Sequence, residues 1–137
     1  MKYYVVYDTN VLVSALLTSK INSATVVAVR KMFYGRIIPI YSREIINEYR
    51  EVLNRKKFNF NKEVVDYFLN AIIEFGLSVE PRETGEILPD MKDLPFYEVV
   101  LEKKDEGAYL VTGNIKHFPK KPFIVTPREF LDIIEEE

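Results

Sequence analysis

A three-layer α/β/α sandwich, with a central parallel sheet of four to five strands, is the fold class this sequence predicts. Three observations carry the prediction. Tyr3 to Tyr7 is a short, entirely aromatic and β-branched run, the pattern of a strand buried on both faces. Further short apolar runs alternate with longer helical segments, as βαβ units require. Hydrophobic residues make up 47% of the 137 and charged residues 29%, the balance of an ordinary globular chain of a length that one core can serve, so residues 1–137 are read as a single domain.

The elements follow in order. The strand Tyr3–Tyr7 ends at Asp8, and a helical segment runs from Asn10 to Leu17. Ser23 to Tyr34 reads as a second helix, closed by Gly35. Arg36 to Tyr41 is a second strand, after which Ser42 caps a helix running to Arg55. Its apolar stripe is Ile45, Ile46, Tyr49, Val52 and Leu53. Lys56 to Phe60 is a basic, aromatic loop, and Lys62 to Phe75 a helix followed by Gly76. Leu77 to Glu80 is a short strand and Pro81 to Asp90 a loop. Asp93 to Lys104 is a helix ended near Gly107, with strands at Ala108–Thr112 and Phe123–Val125. Thr126-Pro127-Arg128-Glu129 opens a last helix with a cap, a proline at the first position and a glutamate at the third. Parallel sheets bind ligands outside the carboxyl ends of their strands, so the residues after Tyr7, Tyr41, Val111 and Val125 are where chemistry is sought.

Composition narrows that chemistry. With no Cys and a single His, His117, the chain has no disulfide, thiolate zinc site, thiol nucleophile or iron–sulfur cluster, and no multi-histidine zinc site. No segment is apolar for the roughly 18 residues a membrane span needs. The apolar run at the N-terminus is too short for a signal peptide, and a cytoplasmic protein without membrane attachment is expected. Net charge is -2, but it is unevenly spread. Lys20 to Lys62 carries 10 Lys or Arg against 3 Glu, whereas Glu63 to Glu137 carries 8 against 17 Asp or Glu. Solvated helix faces sorted by chance account for this, and so does a basic surface beside an acidic pocket.

Four positions are candidates for the pocket. Asp8, at the end of the first strand, is either a helix cap or a ligand at the sheet's carboxyl edge. Glu48 lies at the border of its helix's apolar stripe, one turn from Ile45 and Val52. Asp93 shares a helix face with Phe96, Tyr97 and Val100, and although a first-turn acid suits the helix dipole, an acid above a buried stripe needs a partner or a metal. Asp90 competes with it. Asn114, after Val111-Thr112-Gly113, is either a turn residue or a neutral oxygen donor to a hard cation. Converging carboxylates repel unless one is protonated or a cation lies between them, and an all-oxygen ligand set selects Mg²⁺ or Mn²⁺.

Asp8-Thr9-Asn10-Val11-Leu12-Val13-Ser14-Ala15-Leu16, opening the chain after a strand, resembles the start of a PIN domain. Ser42-Arg43-Glu44-Ile45-Ile46-Asn47-Glu48-Tyr49, Asp90-Met91-Lys92-Asp93-Leu94-Pro95-Phe96-Tyr97-Glu98 and Tyr109-Leu110-Val111-Thr112-Gly113-Asn114 resemble the family's other three acidic elements, in the same order. The resemblance covers nearly the whole chain and is strongest to stand-alone members regarded as toxins of toxin–antitoxin pairs. It implies a Mg²⁺- or Mn²⁺-dependent ribonuclease that cuts RNA, with Asp8, Glu48 and Asp93 as metal ligands and Asn114 standing in the fourth catalytic position, where an Asp is usual. Thr9, Asn10 and Thr112 would orient the acids, whereas His117 reads as a loop histidine satisfied by a local hydrogen bond.

The resemblance also implies a homodimer and a small antitoxin protein. Arg55, Lys56 and Lys57 beside Phe58 and Phe60, and Lys116 in the segment to Phe123, mix cations with aromatics in the manner of single-strand RNA contacts, and equally of basic loops anchored by core phenylalanines. Two other functions compete. One is a non-catalytic PIN-like module binding RNA or protein. The other is a phosphoacceptor domain, which the chain argues against because its second strand ends in Ser42 without an acceptor Asp.

Overall fold

The computed structural model describes residues 2–135. Five strands form an all-parallel sheet: β1 (Tyr3–Tyr7), β2 (Ile37–Tyr41), β3 (Leu77–Ser78), β4 (Tyr109–Val111) and β5 (Ile124–Val125), in the order β3-β2-β1-β4-β5. The α-helices are α1 (Thr9–Leu17), α2 (Ala24–Arg30), α3 (Arg43–Leu53), α4 (Lys62–Phe75), α5 (Leu94–Lys103) and α6 (Pro127–Glu135). Alternation along β1 sends Tyr3 and Tyr7 to one face, where Tyr3 packs edge-on against Phe130 of α6 and the Tyr7 hydroxyl donates to the Ala28 carbonyl of α2 at 2.9 Å. On the other face α5 covers β1, β2 and β4, and the rings of Tyr49 and Phe96 meet between α3 and α5. Among the described residues no helix is long and apolar enough to cross a membrane.

Strand order sets where a ligand can go. From β1 the chain winds outward to β2 and β3, then returns to the other side of β1 as β4. The crevice at the carboxyl ends of β1 and β4 is therefore the point where the winding reverses. The register Val5↔Tyr109 and Tyr7↔Val111 puts Asp8 beside Thr112, and the Asp8 amide continues the ladder by donating to the Val111 carbonyl at 2.9 Å.

Several boundaries differ from the sequence reading, each for a local reason. The first helix starts at Thr9, because Asp8 is itself the extended cap residue. The second helix is α-helical only to Arg30 and tightens into a 3-10 turn over Lys31–Tyr34 before Gly35, which takes φ +79. α3 stops at Leu53 because Asn54 folds back, its side-chain amide donating to the Arg50 carbonyl. β3 holds only two residues; after Val79 donates to Tyr41, the chain leaves the edge toward Pro81. β2 begins at Ile37, and β4 and β5 are likewise shorter than expected. Asp93 ends a 3-10 turn, Met91–Asp93, that precedes α5. The cap of α6 forms as expected: Glu129 Oε1 accepts from the Thr126 amide at 2.9 Å, and Thr126 Oγ1 accepts from the Glu129 amide at 3.1 Å.

One buried hydrogen bond ties α3 to the end of β1: the Tyr49 hydroxyl donates to the Tyr7 carbonyl at 2.5 Å. Tyr49→Phe should leave the fold intact but lower stability by about 1–2 kcal/mol, because a buried acceptor loses its partner. Urea denaturation followed by circular dichroism measures this, and an unchanged midpoint would show that the bond contributes nothing net.

Candidate active site

The expected acids lie on three separate elements that converge on the β1/β4 crevice. Asp8 closes β1 and is 4% exposed. Its Oδ2 accepts from the Thr112 hydroxyl at 2.7 Å and from the Asn10 side-chain amide at 3.1 Å. Glu48, half-buried on α3, accepts through Oε2 from the Thr9 hydroxyl. Asp93 lies beneath the start of α5, its side chain 15% exposed, with Oδ2 3.1 Å from His117 Nδ1. In each acid these side-chain donors occupy one oxygen only, which leaves acceptor capacity on the carboxylate.

All three carboxyls are pushed above their ordinary pKa range, in each case chiefly by burial. Asp8 is raised to about 6; Thr112, the Thr9 amide and Asn10 oppose the shift, and Asp93 adds to it. Glu48 is raised by burial and by Asp8, against Thr9 and Lys92. Asp93 is raised by burial, by Asp90 and by Glu48, against His117. Asp93 thus acts on Asp8, Asp8 on Glu48, and Glu48 on Asp93. Each acid is linked electrostatically to a neighbour among the three. Even so, among the described residues no group of three or more His, Asp or Glu side chains is gathered tightly enough to hold a metal ion as it stands.

The expected orienting residues all touch the acids. Asn10 does so twice over: its Nδ2 donates to Asp8, and its Oδ1 accepts from the Gly113 amide at 3.1 Å. A Cβ at Gly113 would stand 3.3 Å from that oxygen, a tight contact to which the Asn10 side chain would have to yield by a few tenths of an ångström. Thr112, with no exposed surface, gives its hydroxyl proton to Asp8 while its oxygen accepts from the Asn114 amide at 2.9 Å. Asn114 itself is exposed at the mouth and starts a 3-10 turn, Ile115–His117.

Two readings are refined. Asp90, the competitor of Asp93, is an exposed cap whose Oδ1 accepts from the Lys92 amide at 3.0 Å. His117 does have a local hydrogen bond, but its partner is Asp93, so it is part of the site's support. The sequence held no signal for this beyond its place on the turn after Asn114. The basic segment is less unified than its composition suggests. The Arg55 guanidinium pairs with Glu51 at 2.9 Å, Lys57 lies 5.1 Å from the centre of the Phe58 ring, and Phe58 stacks on Phe60. Among the described residues no side-chain hydrogen bond or ion pair joins Arg55, Lys56 or Lys57 to the acids, whereas Lys116 lies two residues from Asn114.

Among known families, a model of the PIN domain matches residues 4–116. Comparison with curated proteins and with solved structures finds no match.

The pKa of Asp8 dictates a pH dependence. A carboxyl that binds its proton more tightly when folded contributes stability that is fully present below its unfolded pKa, near 3.8, and that is lost as pH rises through about 6. In chelator, wild type should lose up to about 3 kcal/mol relative to Asp8→Asn between about pH 4 and about pH 7, as read by urea denaturation. A difference between the two proteins that stays constant across that window would contradict the burial of the charge.

Proposed function

The chain belongs to the PIN domain family, a nuclease fold family, and from that premise we propose that it is a metal-dependent endoribonuclease. The observation that carries this reading is the mutual repulsion of Asp8, Glu48 and Asp93 at the crevice where the sheet's winding reverses. The residues present fit Mg²⁺ or Mn²⁺. The donors are oxygens, they are partly withdrawn from water, and each carboxylate keeps one oxygen to which no side chain donates. Asp8, Glu48 and Asp93 would hold the ion, and Asn114 offers an amide oxygen at the mouth.

A bound ion of this kind supplies activation of water and neutralisation of charge on the phosphate. The chain's own side chains do the rest by position. Thr112 and Asn10 hold Asp8, Thr9 holds Glu48, and His117 holds Asp93, so that each hydrogen bond opposes part of the effect of burial and keeps its carboxyl aimed. Water adds to phosphorus, the bond from phosphorus to O3′ breaks, and the products carry 5′-phosphate and 3′-hydroxyl ends.

The narrower reading, a toxin acting as a homodimer and restrained by a small antitoxin, rests on the resemblance to stand-alone members. The exposed Leu17 and Ile21 supply apolar surface for such contacts. Asn114, standing where an acid is usual, favours a second reading, a PIN-like module that binds RNA or protein without cutting.

Asp8→Ala and Asp93→Ala should abolish Mn²⁺-dependent cleavage of total RNA while near-native circular dichroism is retained, and activity surviving in either variant would refute the assignment. Calorimetric titration separates the second reading, since wild type should bind Mn²⁺ and a non-catalytic module with a weakened site should not. If the loop after α3 guides RNA, the double variant Lys56→Glu, Lys57→Glu should weaken RNA binding and flatten its salt dependence by about two counter-ions. Unchanged binding would remove that loop from the substrate path.

A further inference from the structure

A cleft of about 820 Å³ opens next to the acidic crevice, between the Ile115–His117 turn and the start of α6. Its floor is apolar: Phe118, Ile124 and Val125 are buried beneath it, with Ile115 and Pro122 at its sides. Lys116, Lys120 and Lys121 are exposed around it. None of the three has a carboxylate within ion-pair distance among the described residues. The one acid lining the cleft, Glu129, already uses Oε1 to accept from the Thr126 amide.

The turn is a wall shared by cleft and site. Three residues per 3-10 turn point in three directions. His117 is directed to Asp93, while Ile115 and Lys116 line the cleft. A chain lying across the turn from the acids therefore enters the cleft next. Apart from Ile115 and Lys116, the lining lies beyond the residues matched by the family model.

We propose that this cleft is a nucleotide-binding subsite, whose apolar floor takes the face of one base of a single-stranded RNA and whose three lysines take the phosphates on either side of it. The proposal rests on the ribonuclease reading of the neighbouring acids. Its volume falls within the roughly 300–1,000 Å³ typical of small-ligand sites. Apolar surface beneath unpaired cations is what base stacking combined with phosphate contact requires.

The test is binding of a fluorescein-labelled oligouridylate, followed by anisotropy in chelator so that cleavage plays no part. Wild type should bind. Ile115→Asp, at a partly exposed position, and the double variant Lys120→Glu, Lys121→Glu should each lose about tenfold or more in affinity. Asp8→Asn, which removes a negative charge, should bind at least as tightly as wild type and fail to cleave when Mn²⁺ is restored. Affinities of both cleft variants within twofold of wild type would overturn the subsite. So would no binding by wild type, or a cleft that takes an acidic, leucine-rich peptide while leaving the oligonucleotide unaffected. Failure of wild type to cleave when Mn²⁺ is restored would sink the ribonuclease reading instead, and the cleft variants would still report on binding.

Discussion

One hydrogen bond spans 104 positions of the chain and joins the two strand ends at which the site is built. The Thr112 hydroxyl donates to Asp8 Oδ2 at the place where β1 and β4 diverge. Both residues follow strands that pair in fixed register, so neither moves without the sheet. An Asp withdrawn from water in this way is costly unless neutral or partnered. Thr112 and Asn10 offset part of that cost, and the pKa of about 6 shows that they do not offset all of it. The remaining imbalance favours a cation. Asn10 extends the constraint by joining Asp8 to Gly113, which holds the turn that carries Asn114 and His117. Through His117 the same turn reaches Asp93 on the opposite wall. The site is thus a ring of contacts built outward from one buried carboxylate.

The fold was legible because each element satisfies a simple rule on its own. β1 has no charged residue, and Ser42 and Thr126 both occupy the capping positions their side chains suit. The acids were legible for a different reason: in a parallel sheet, the residue after a strand is already at the binding edge. Glu48 illustrates the limit. Its position at the border of the α3 stripe was visible, but its bond to Thr9 depends on how α3 crosses the end of β1, which only packing decides. His117 was harder still. A lone histidine within a lysine-rich loop has no sequence feature that distinguishes it from a solvated one, and its partner is 24 residues away. The cleft is made by the approach of a turn to a helix start, a relation that no periodicity encodes.

Charge counted along the sequence proved a coarse guide for a physical reason. Ion pairs at i,i+3 and i,i+4 consume cations locally, so a basic segment need not make a basic surface. Arg55 is spent on Glu51 and Lys103 on Glu106. The lysines that stay unpaired near the acids include Lys92, which acts on Glu48, and Lys116, Lys120 and Lys121, and all four belong to the half of the chain that is acidic in total. What a phosphate meets is set by which charges lack a neighbour and lie beside the crevice, and the net count does not report that.

Asn114 fits the same electrostatic logic. Four carboxylates around one crevice would leave two negative charges uncompensated by a single divalent ion, and would call for a second ion or a bound proton. Three leave only one, and burial that already lifts Asp8 to about 6 makes even that charge expensive to hold. An amide at the exposed mouth keeps an oxygen donor in place without adding to the repulsion that all three acids register. It also leaves the entrance beside Lys116 free of a fourth negative charge that an incoming phosphate would have to approach. If the proposed ribonuclease reading holds, the asparagine would suit a site with one divalent ion and a basic neighbouring cleft, and the amide at the fourth position and the unpaired lysines beyond it would be two parts of a single arrangement for bringing a polyanion to a cluster of acids.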